Sequence, residues 1–227
     1  MARRLVVRVV VPVVVSGLLA GCTAAVPGRP VAGPLPVVPT VTCDYSLPAD
    51  GPKKDVDPPS AKAESEGTVV VEVKTSQGDL EFEFDAASAP CSVHNFRHLV
   101  EERFFEGTAC HRLTVDGLWV LQCGDATDTG QGGPGYHFDD PDAKTGGYDR
   151  GVIAMANRQQ AGTNGSQFFI VHKDSSFDPD FPVLGRVVEG MDVIDKVAAG
   201  GVVPGTGFSE TDGRPVLPLK FVTLSVE

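Results

Sequence analysis

The side chains best suited to chemistry lie in four short stretches between positions 95 and 170. These stretches are Asn95-Phe96, Cys110-His111-Arg112, Leu121-Gln122-Cys123-Gly124-Asp125, and Met155-Ala156-Asn157 together with Asn164-Gly165-Ser166-Gln167-Phe168-Phe169-Ile170. An arginine such as Arg112 is always charged and offers several N–H donors in a fixed geometry. Such a group can stabilise a lone pair that develops only in a transition state, without a nucleophile, a metal or a general base.

Three other patterns could indicate a cofactor or a metal, but each lacks a necessary part. Residues 130–135 fit G-x-G-x-x-G, yet a dinucleotide site needs a helix directly afterwards, and residues 136–141 predict none. His94 and His98 lie four residues apart on a predicted helix, with no third ligand nearby. The acidic segment 174–180 lacks the spacing of an EF-hand loop. The sequence therefore predicts no cofactor and no metal.

Short strands must position these residues. Apolar residues alternate with polar ones over 68–74 and 80–84, on either side of Gly78-Asp79, which predicts a β-hairpin. Further short apolar runs lie at 109–114, 118–123, 151–156, 167–172, 183–188 and 218–226.

Two helices accompany the strands. Ser88 as N-cap and Pro90 in the first turn predict an amphipathic helix over 89–102. A second helix is predicted over 190–199, ending at Gly200. Many short strands with two helices indicate a closed or nearly closed antiparallel barrel capped by helices.

In their order and spacing, the four stretches closely resemble the cyclophilin family of peptidyl-prolyl isomerases. The resemblance covers about residues 67–227, and the segment 164–170 is highly specific by itself. It implies a mainly β fold, an eight-stranded antiparallel β-barrel capped by two α-helices, which agrees with the predicted elements. It also implies cis–trans isomerisation of X-Pro bonds in proline-containing polypeptides, with no cofactor.

The resemblance implies roles for individual residues. Arg112 takes the position of the catalytic arginine, and Gln122 would hydrogen-bond the substrate carbonyl or orient Arg112. The main chain of Asn157 would hold the residue before the proline. The apolar slot for the proline ring would be lined by Trp119, Val120, Phe169 and Phe177. The other expected substrate-binding positions are Ala156 and Gly130, at the neighbouring subsite, and Phe181, at the rim.

The chain departs from the common family pattern around this slot. About two extra residues stand within 114–117, Phe181 stands where a histidine is common, and Ser176 stands where many members have a tryptophan that contacts cyclosporin. We therefore expect weak cyclosporin binding. The changed rim leaves open a second function, a proline-binding or chaperone module with little turnover. A third candidate function is that of a purely structural surface lipoprotein. The intact sequence motifs argue against it.

Residues 1–21 have the features of a lipoprotein signal peptide. Three arginines precede a short apolar run from Val9 to Ala20, which is too short to span a bilayer comfortably. The segment Leu19-Ala20-Gly21-Cys22 resembles a bacterial lipobox, which implies that Cys22 is lipidated. We expect the protein on the extracytoplasmic face of the cell membrane, held by its lipid. An N-terminal membrane helix is the alternative.

Residues 22–66 are predicted to be a Pro-rich tether that precedes the isomerase domain over 67–227. Nine of the 18 prolines lie there, without helical or alternating periodicity, which favours a semi-rigid spacer. Cys43, Tyr45 and Leu47 leave open that residues 41–48 pack on the domain.

The remaining four cysteines allow two disulfides in three connectivities, which suits a compartment outside the cytoplasm. Cys110 and Cys123 should lie on adjacent strands and could pair, and Cys43 would then join Cys91.

Charge and length limit the partners. The formal net charge of -11 argues against nucleic acid, because phosphate binding requires a basic surface. A chain of 227 residues suits one domain with extra segments, and we expect a monomer.

Overall fold

The computed structural model describes residues 37–48, 51, 53–176 and 181–227. The predicted signal peptide, the lipidation site Cys22, the first part of the predicted tether and Phe177 lie outside the described residues. Residues 37–227 form one compact unit. None of the helices in the described ranges has both the length and the apolar character needed to cross a membrane.

Short strands make up most of the regular structure. Within the described ranges the strands are β1 (Thr40–Thr42), β2 (Leu47–Pro48), β3 (Lys62–Glu64), β4 (Thr68–Thr75), β5 (Asp79–Asp85), β6 (Arg112–Thr114), β7 (Val120–Cys123), β8 (Tyr136–His137), β9 (Val152–Met155), β10 (Phe168–Val171), β11 (Val183–Glu189), β12 (Asp212–Gly213) and β13 (Phe221–Val226). The helices are α1 (Pro90–Glu101) and α2 (Met191–Ala199). The predicted hairpin is confirmed as β4 and β5, and both predicted helices are present.

Among the described residues, nine of these strands form one antiparallel sheet in the order β12-β6-β7-β10-β9-β11-β5-β4-β13. The sheet curls, because the segment before β6 hydrogen-bonds to the start of β13. The amide of Cys110 donates to the Leu219 carbonyl at 3.0 Å, and the amide of Phe221 donates to the Thr108 carbonyl at 3.0 Å. The sheet thus forms an antiparallel half-barrel that approaches closure.

The strand number differs from the eight that the resemblance implies. The ninth strand is β12, only two residues long, which pairs with Leu113 and Thr114 of β6. A pairing of two residues has no sequence periodicity of its own, so alternation could not predict it. Its consequence is local: β12 brings Asp212 beside the strand that carries Arg112.

The start of α1 also differs from the prediction. The N-cap residue is Ala89 rather than Ser88, because the Ser88 hydroxyl donates to Asp85 Oδ2 at 2.7 Å in the preceding turn. The amide of Ser92 in the first turn instead donates to Asp140 Oδ2 at 2.8 Å, so a distant carboxylate supplies the missing acceptor.

Aromatic side chains fill the inside of the curled sheet. Phe96 of α1 lies 4.8 Å from Phe84, 4.8 Å from Phe105 and 5.1 Å from Phe168, measured between ring centroids. All four rings are buried, with at most 1% exposure. This apolar contact fixes α1 against β5 and β10 and forms the centre of the core.

The described part of the predicted tether packs against the domain. Cys43 is disulfide-bonded to Cys91 of α1, and the buried Tyr45 hydroxyl donates to the Cys91 carbonyl at 2.8 Å. Further along, His98 Nε2 donates to the Asp57 carbonyl at 2.8 Å. The compact unit therefore begins near Val37 rather than at position 67, because a disulfide and a buried aromatic ring hold the preceding segment.

Candidate active site

Arg112 and Gln122 are cross-strand neighbours. They are paired in the register of β6 and β7, which places both side chains on the same face of the sheet. Arg112 Nη1 donates to Gln122 Oε1 at 3.2 Å. The second disulfide, Cys110–Cys123, joins the two segments directly beside this pair. Both disulfides match the pairing considered from the sequence.

Asp212 holds the other side of Arg112. Arg112 Nε donates to Oδ1 at 2.9 Å and Nη2 donates to Oδ2 at 2.8 Å, which is a bidentate ion pair. The side chains of Arg112 and Asp212 are 30% and 16% exposed, so the pair is half-buried. The Phe208 ring centroid lies 5.7 Å from the guanidinium carbon. Sequence reasoning missed both residues, since they follow Arg112 by about a hundred positions and carry no motif.

A chain of amides extends from Gln122 into the neighbouring loop. Gln122 Nε2 donates to Gln167 Oε1 at 2.9 Å, and Gln167 Nε2 donates to the carbonyls of Gly132 at 2.9 Å and Gly130 at 3.2 Å. Gln167 belongs to a motif that the sequence singled out, but its role was not predicted. It fixes the amide orientation of Gln122, so that the Gln122 oxygen faces Arg112.

Asp125 organises the glycine-rich loop that follows β7. Its carboxylate accepts hydrogen bonds from the amides of Thr127, Thr129, Gly130 and Gly132. Burial would raise the pKa of Asp125, but the hydroxyl and amide of Thr127 and the amide of Gly132 outweigh it and lower the pKa below its usual value. A Cβ at Gly132 would collide with Asp125 and Thr127, so this position requires glycine.

Two cavities share Gln122 and Gly130 in their linings. The first has a volume of about 210 Å³, and its lining includes Gln122, Gly130, Ala156 and Asn157. The second has a volume of about 460 Å³, and its lining includes His111, Arg112, Phe208 and Arg214. The structure thus brings together five of the residues predicted for the site: Arg112, Gln122, Gly130, Ala156 and Asn157.

The Asn157 side chain is occupied within its own loop. Its Nδ2 donates to Asn164 Oδ1 at 3.1 Å, and its Oδ1 accepts from the Gln159 amide at 2.8 Å. Within the part of the chain that the structure describes, its main-chain N–H and C=O make no hydrogen bond. Asn157 lines the first cavity, so we expect these two groups to be available to an extended peptide.

A small apolar cluster lies outside the main core. Its buried members are Val120, Tyr148, Ala154, Phe169 and Val171, and Ala156, Phe181, Val152 and Val183 pack against it. Val120 and Phe169 are each only 5% exposed. Phe181 lies edge-on against Phe169, with ring centroids 5.4 Å apart. The expected slot is therefore a closely packed cluster whose half-buried rim includes Ala156 and Phe181.

Trp119 makes different contacts from the other predicted slot residues. Its ring lies 5.9 Å from the ring of His172, and Lys173 Nζ stands 3.9 Å above it. The insertion within 114–117 precedes it, and there the Leu118 amide donates to the Asp116 carbonyl in a tight turn. Phe177, the remaining predicted slot residue, lies outside the described residues.

The fold and this site define a recognisable class: a curled antiparallel sheet with two helices and an arginine–glutamine pair beside a small apolar cluster. The family model described as cyclophilin type peptidyl-prolyl cis-trans isomerase/CLD matches residues 70–225. The chain belongs to this family of isomerases.

Relatives and solved structures agree with that assignment. The probable peptidyl-prolyl cis-trans isomerase B of Mycobacterium leprae is 38% identical over 203 residues, covering 82% of this chain and 67% of that protein. Its namesake in Mycobacterium tuberculosis is 37% identical over 173 residues, covering 70% of this chain and 54% of that protein. The chain therefore spans between about half and two thirds of the length of these relatives.

Similar structures come from a eukaryotic parasite. The crystal structure of a cyclophilin-type isomerase of Cryptosporidium parvum has a TM-score of 0.59 and 27% identity, covering 71% of this chain and 98% of that one. A structure of the same protein in the presence of the dipeptide Ala-Pro has a TM-score of 0.57 and 28% identity, covering 70% of this chain and 98% of that one.

Proposed function

We propose that the domain catalyses cis–trans isomerisation of X-Pro peptide bonds, with Arg112 as the catalytic residue. An X-Pro amide rotates over a barrier of about 18–20 kcal/mol because its C–N bond is conjugated. Rotation breaks that conjugation and leaves a lone pair on the proline nitrogen. A guanidinium N–H beside this nitrogen stabilises the twisted state more than either planar state, which lowers the barrier.

The observation that carries this proposal is the half-buried guanidinium of Arg112, which is hydrogen-bonded to Gln122. Gln122 lines both the cavity that contains Arg112 and the neighbouring cavity that contains Asn157. Arg112 would donate to the proline nitrogen, and Gln122 would contact the substrate carbonyl. Asn157 would pair with the residue before the proline through its free main-chain groups. The Ala-Pro dipeptide used with the Cryptosporidium relative is a ligand of the same chemical kind.

The test is an isomerisation assay on a chromogenic X-Pro peptide. We expect Arg112→Ala to lower kcat/KM by about tenfold or more, which corresponds to about 1.4 kcal/mol or more of transition-state stabilisation. Arg150→Ala is the matched control, because Arg150 also forms an ion pair, with Asp195, but lies in neither cavity. Equal rates for wild type and Arg112→Ala would refute the catalytic assignment.

A second candidate function is a module that binds proline segments with little turnover. The changed rim of the apolar cluster favours it, because Phe181, which packs edge-on against Phe169, stands where a histidine is common in the family. Binding of a Pro-containing peptide in calorimetry, with isomerisation no faster than the uncatalysed rate, would support this candidate over catalysis.

We further propose that the protein acts on exported polypeptides from the extracytoplasmic face of the membrane, with a lipid on Cys22. The signal-like N-terminal sequence supports this location. The two disulfides support it as well, because disulfides are rare in the reducing cytosol. In cells labelled with radioactive palmitate, the wild type should carry label and sediment with membranes. Cys22→Ala should lose both properties, whereas Thr23→Ala should keep them. An unlabelled wild type would contradict lipidation.

Cyclosporin should inhibit this protein only weakly. Ser176 is exposed and offers no aromatic ring, and Phe181 stands at the rim in place of a polar group. A titration in the isomerisation assay that gave nanomolar inhibition would contradict this expectation. The monomeric state stays a prediction, to be measured by sedimentation.

A further inference from the structure

The bidentate contact between Asp212 and Arg112 has no part in the mechanism described above. We infer that Asp212 is a positioning residue for catalysis: it fixes the plane and direction of the Arg112 guanidinium so that the remaining N–H donors face the substrate. The inference rests on the proposed function and adds to it a residue from a different part of the chain.

The donors of Arg112 are divided between two partners. Asp212 takes the edge formed by Nε and Nη2, and Gln122 takes one N–H of Nη1. A guanidinium has five N–H groups. Within the described part of the chain, one N–H on Nη1 and one on Nη2 therefore remain for a ligand. Because Asp212 and Gln122 hold the planar guanidinium from two sides, it has little freedom to rotate. A single contact would leave it more freedom.

The segment that carries Asp212 is itself held in place. Asp212 pairs with Thr114 in the short ladder between β12 and β6. The next arginine in the chain, Arg214, donates from Nη1 to Asp128 Oδ1 at 2.8 Å and from Nη2 to the Asp128 carbonyl at 2.7 Å. The Arg214 amide donates to Thr206 Oγ1 at 2.9 Å, which closes the loop on itself. The carboxylate is thus presented from a fixed backbone.

Two glycines allow this close packing. A Cβ at Gly207 would collide with the main chain of Asp212 and Gly213, and a Cβ at Gly213 would meet Thr206 Oγ1 at 2.8 Å. Position 207 therefore has to be glycine for the loop to bring Asp212 to Arg112, and a side chain at position 213 would displace the Thr206 hydroxyl. Phe208, within the same loop, is 88% exposed and lies near the guanidinium, so it contributes a cation–π contact.

Asp212 has two opposing effects on catalysis, and their relative size decides its role. The carboxylate reduces the positive field around Arg112. It also removes rotational freedom that would cost about 1.5–2 kcal/mol if the side chain were ordered only on reaching the transition state. The acceptor in that state is a neutral nitrogen lone pair, so a directed hydrogen bond matters more than net charge. Orientation therefore outweighs the loss of field.

The first experiment compares Asp212→Asn and Asp212→Ala with wild type in the X-Pro peptide assay. We expect kcat/KM to fall by about three- to tenfold, mostly through kcat, with Asn closer to wild type because it keeps one acceptor oxygen. Asp195→Asn is the matched control, since it breaks an exposed ion pair away from both cavities. Thermal melts would establish that each variant is folded at the assay temperature.

The second experiment places Asp212→Asn in an Arg112→Lys background. Lysine keeps a charge but cannot be held side-on by two parallel N–H bonds. We expect Asp212→Asn to change kcat/KM less than twofold there. A structural role for the loop would instead produce equal losses in both backgrounds, and this outcome would overturn the inference.

Two other results would also overturn it. Unchanged kcat/KM in folded Asp212→Asn would show that orientation does not depend on the carboxylate, and a faster variant would show that Asp212 masks Arg112. In both cases a wild type whose rate depends on Arg112 would leave the proposed function intact. A wild type without isomerase activity, or one whose rate does not depend on Arg112, would refute the proposed function itself.

Discussion

Phe168 and Phe169 are neighbours on β10 but belong to different parts of the molecule. Phe168 points into the main core, where its ring lies 5.1 Å from Phe96 and 5.8 Å from Phe105. Phe169 points to the opposite side and packs with Tyr148 and Phe181 in the small apolar cluster. The period of two in a strand separates the two environments by a single residue.

One sheet therefore performs two tasks, one on each of its faces. The inner face is covered by α1 and by aromatic rings that are at most 1% exposed, so it supplies stability. The outer face carries Arg112, Gln122 and the small cluster, next to two cavities. Changes on the inner face should therefore reduce stability, and changes on the outer face should mainly reduce activity.

The largest expected effect comes from truncating the two phenylalanines in turn. Phe168→Ala should lower the free energy of unfolding by about 3–5 kcal/mol, since it leaves a cavity among packed rings. Phe169→Ala should cost less, about 1–3 kcal/mol, because its apolar cluster is smaller than the main core. It should also reduce kcat/KM several-fold, because the proposed proline site loses a wall. Urea unfolding and the isomerisation assay measure the two quantities. Equal stability losses, with no change in activity, would contradict the division between the faces.

An intermediate effect is expected from the disulfide that lies far from the outer face. Replacing both Cys43 and Cys91 by serine should lower the free energy of unfolding by about 2–4 kcal/mol, because the bond closes a separation of 48 residues. Activity of the folded protein should stay the same, since neither cysteine borders a cavity that contains Arg112 or Asn157. A loss of kcat/KM in a fully folded double variant would show that the N-terminal segment supports the site.

The smallest effect is expected from pH. Burial lowers the pKa of His111 and of His172, although Asp125 partly opposes this at His111 and a hydrogen bond to the Thr114 carbonyl opposes it at His172. As the pH falls, these histidines therefore bind protons at a higher pH in the unfolded chain than in the folded protein. Their contribution to the free energy of unfolding is fully present above the ordinary histidine pKa of about 6.5 and is lost as the pH falls below it. His172→Gln keeps an N–H donor without the titration and should show a shallower decline in melting temperature between pH 7 and 5. An identical decline would exclude His172 as a contributor.

Much of the local structure was predictable because its causes are local. Alternation predicted β4 and β5, and helical spacing predicted α1 and α2 to within one residue at each end. Cys110 and Cys123 were expected to be neighbours because both flank one hairpin, and their disulfide is confirmed. The predicted N-cap, Ser88, is wrong, because its hydroxyl donates to Asp85 and a distant carboxylate, Asp140, accepts from the first turn of α1.

The sequence by itself determined the longer strands, both helices and the family, since hydrophobic period and motif spacing act over a few residues. Only the tertiary structure decided that Asp212 forms an ion pair with Arg112 and that Phe181 packs on Phe169. It also decided that the compact unit begins near Val37. Each of these contacts joins segments separated by loops, and a loop's path depends on the packing of everything around it. Such packing leaves no short-range pattern in the sequence from which it could be predicted.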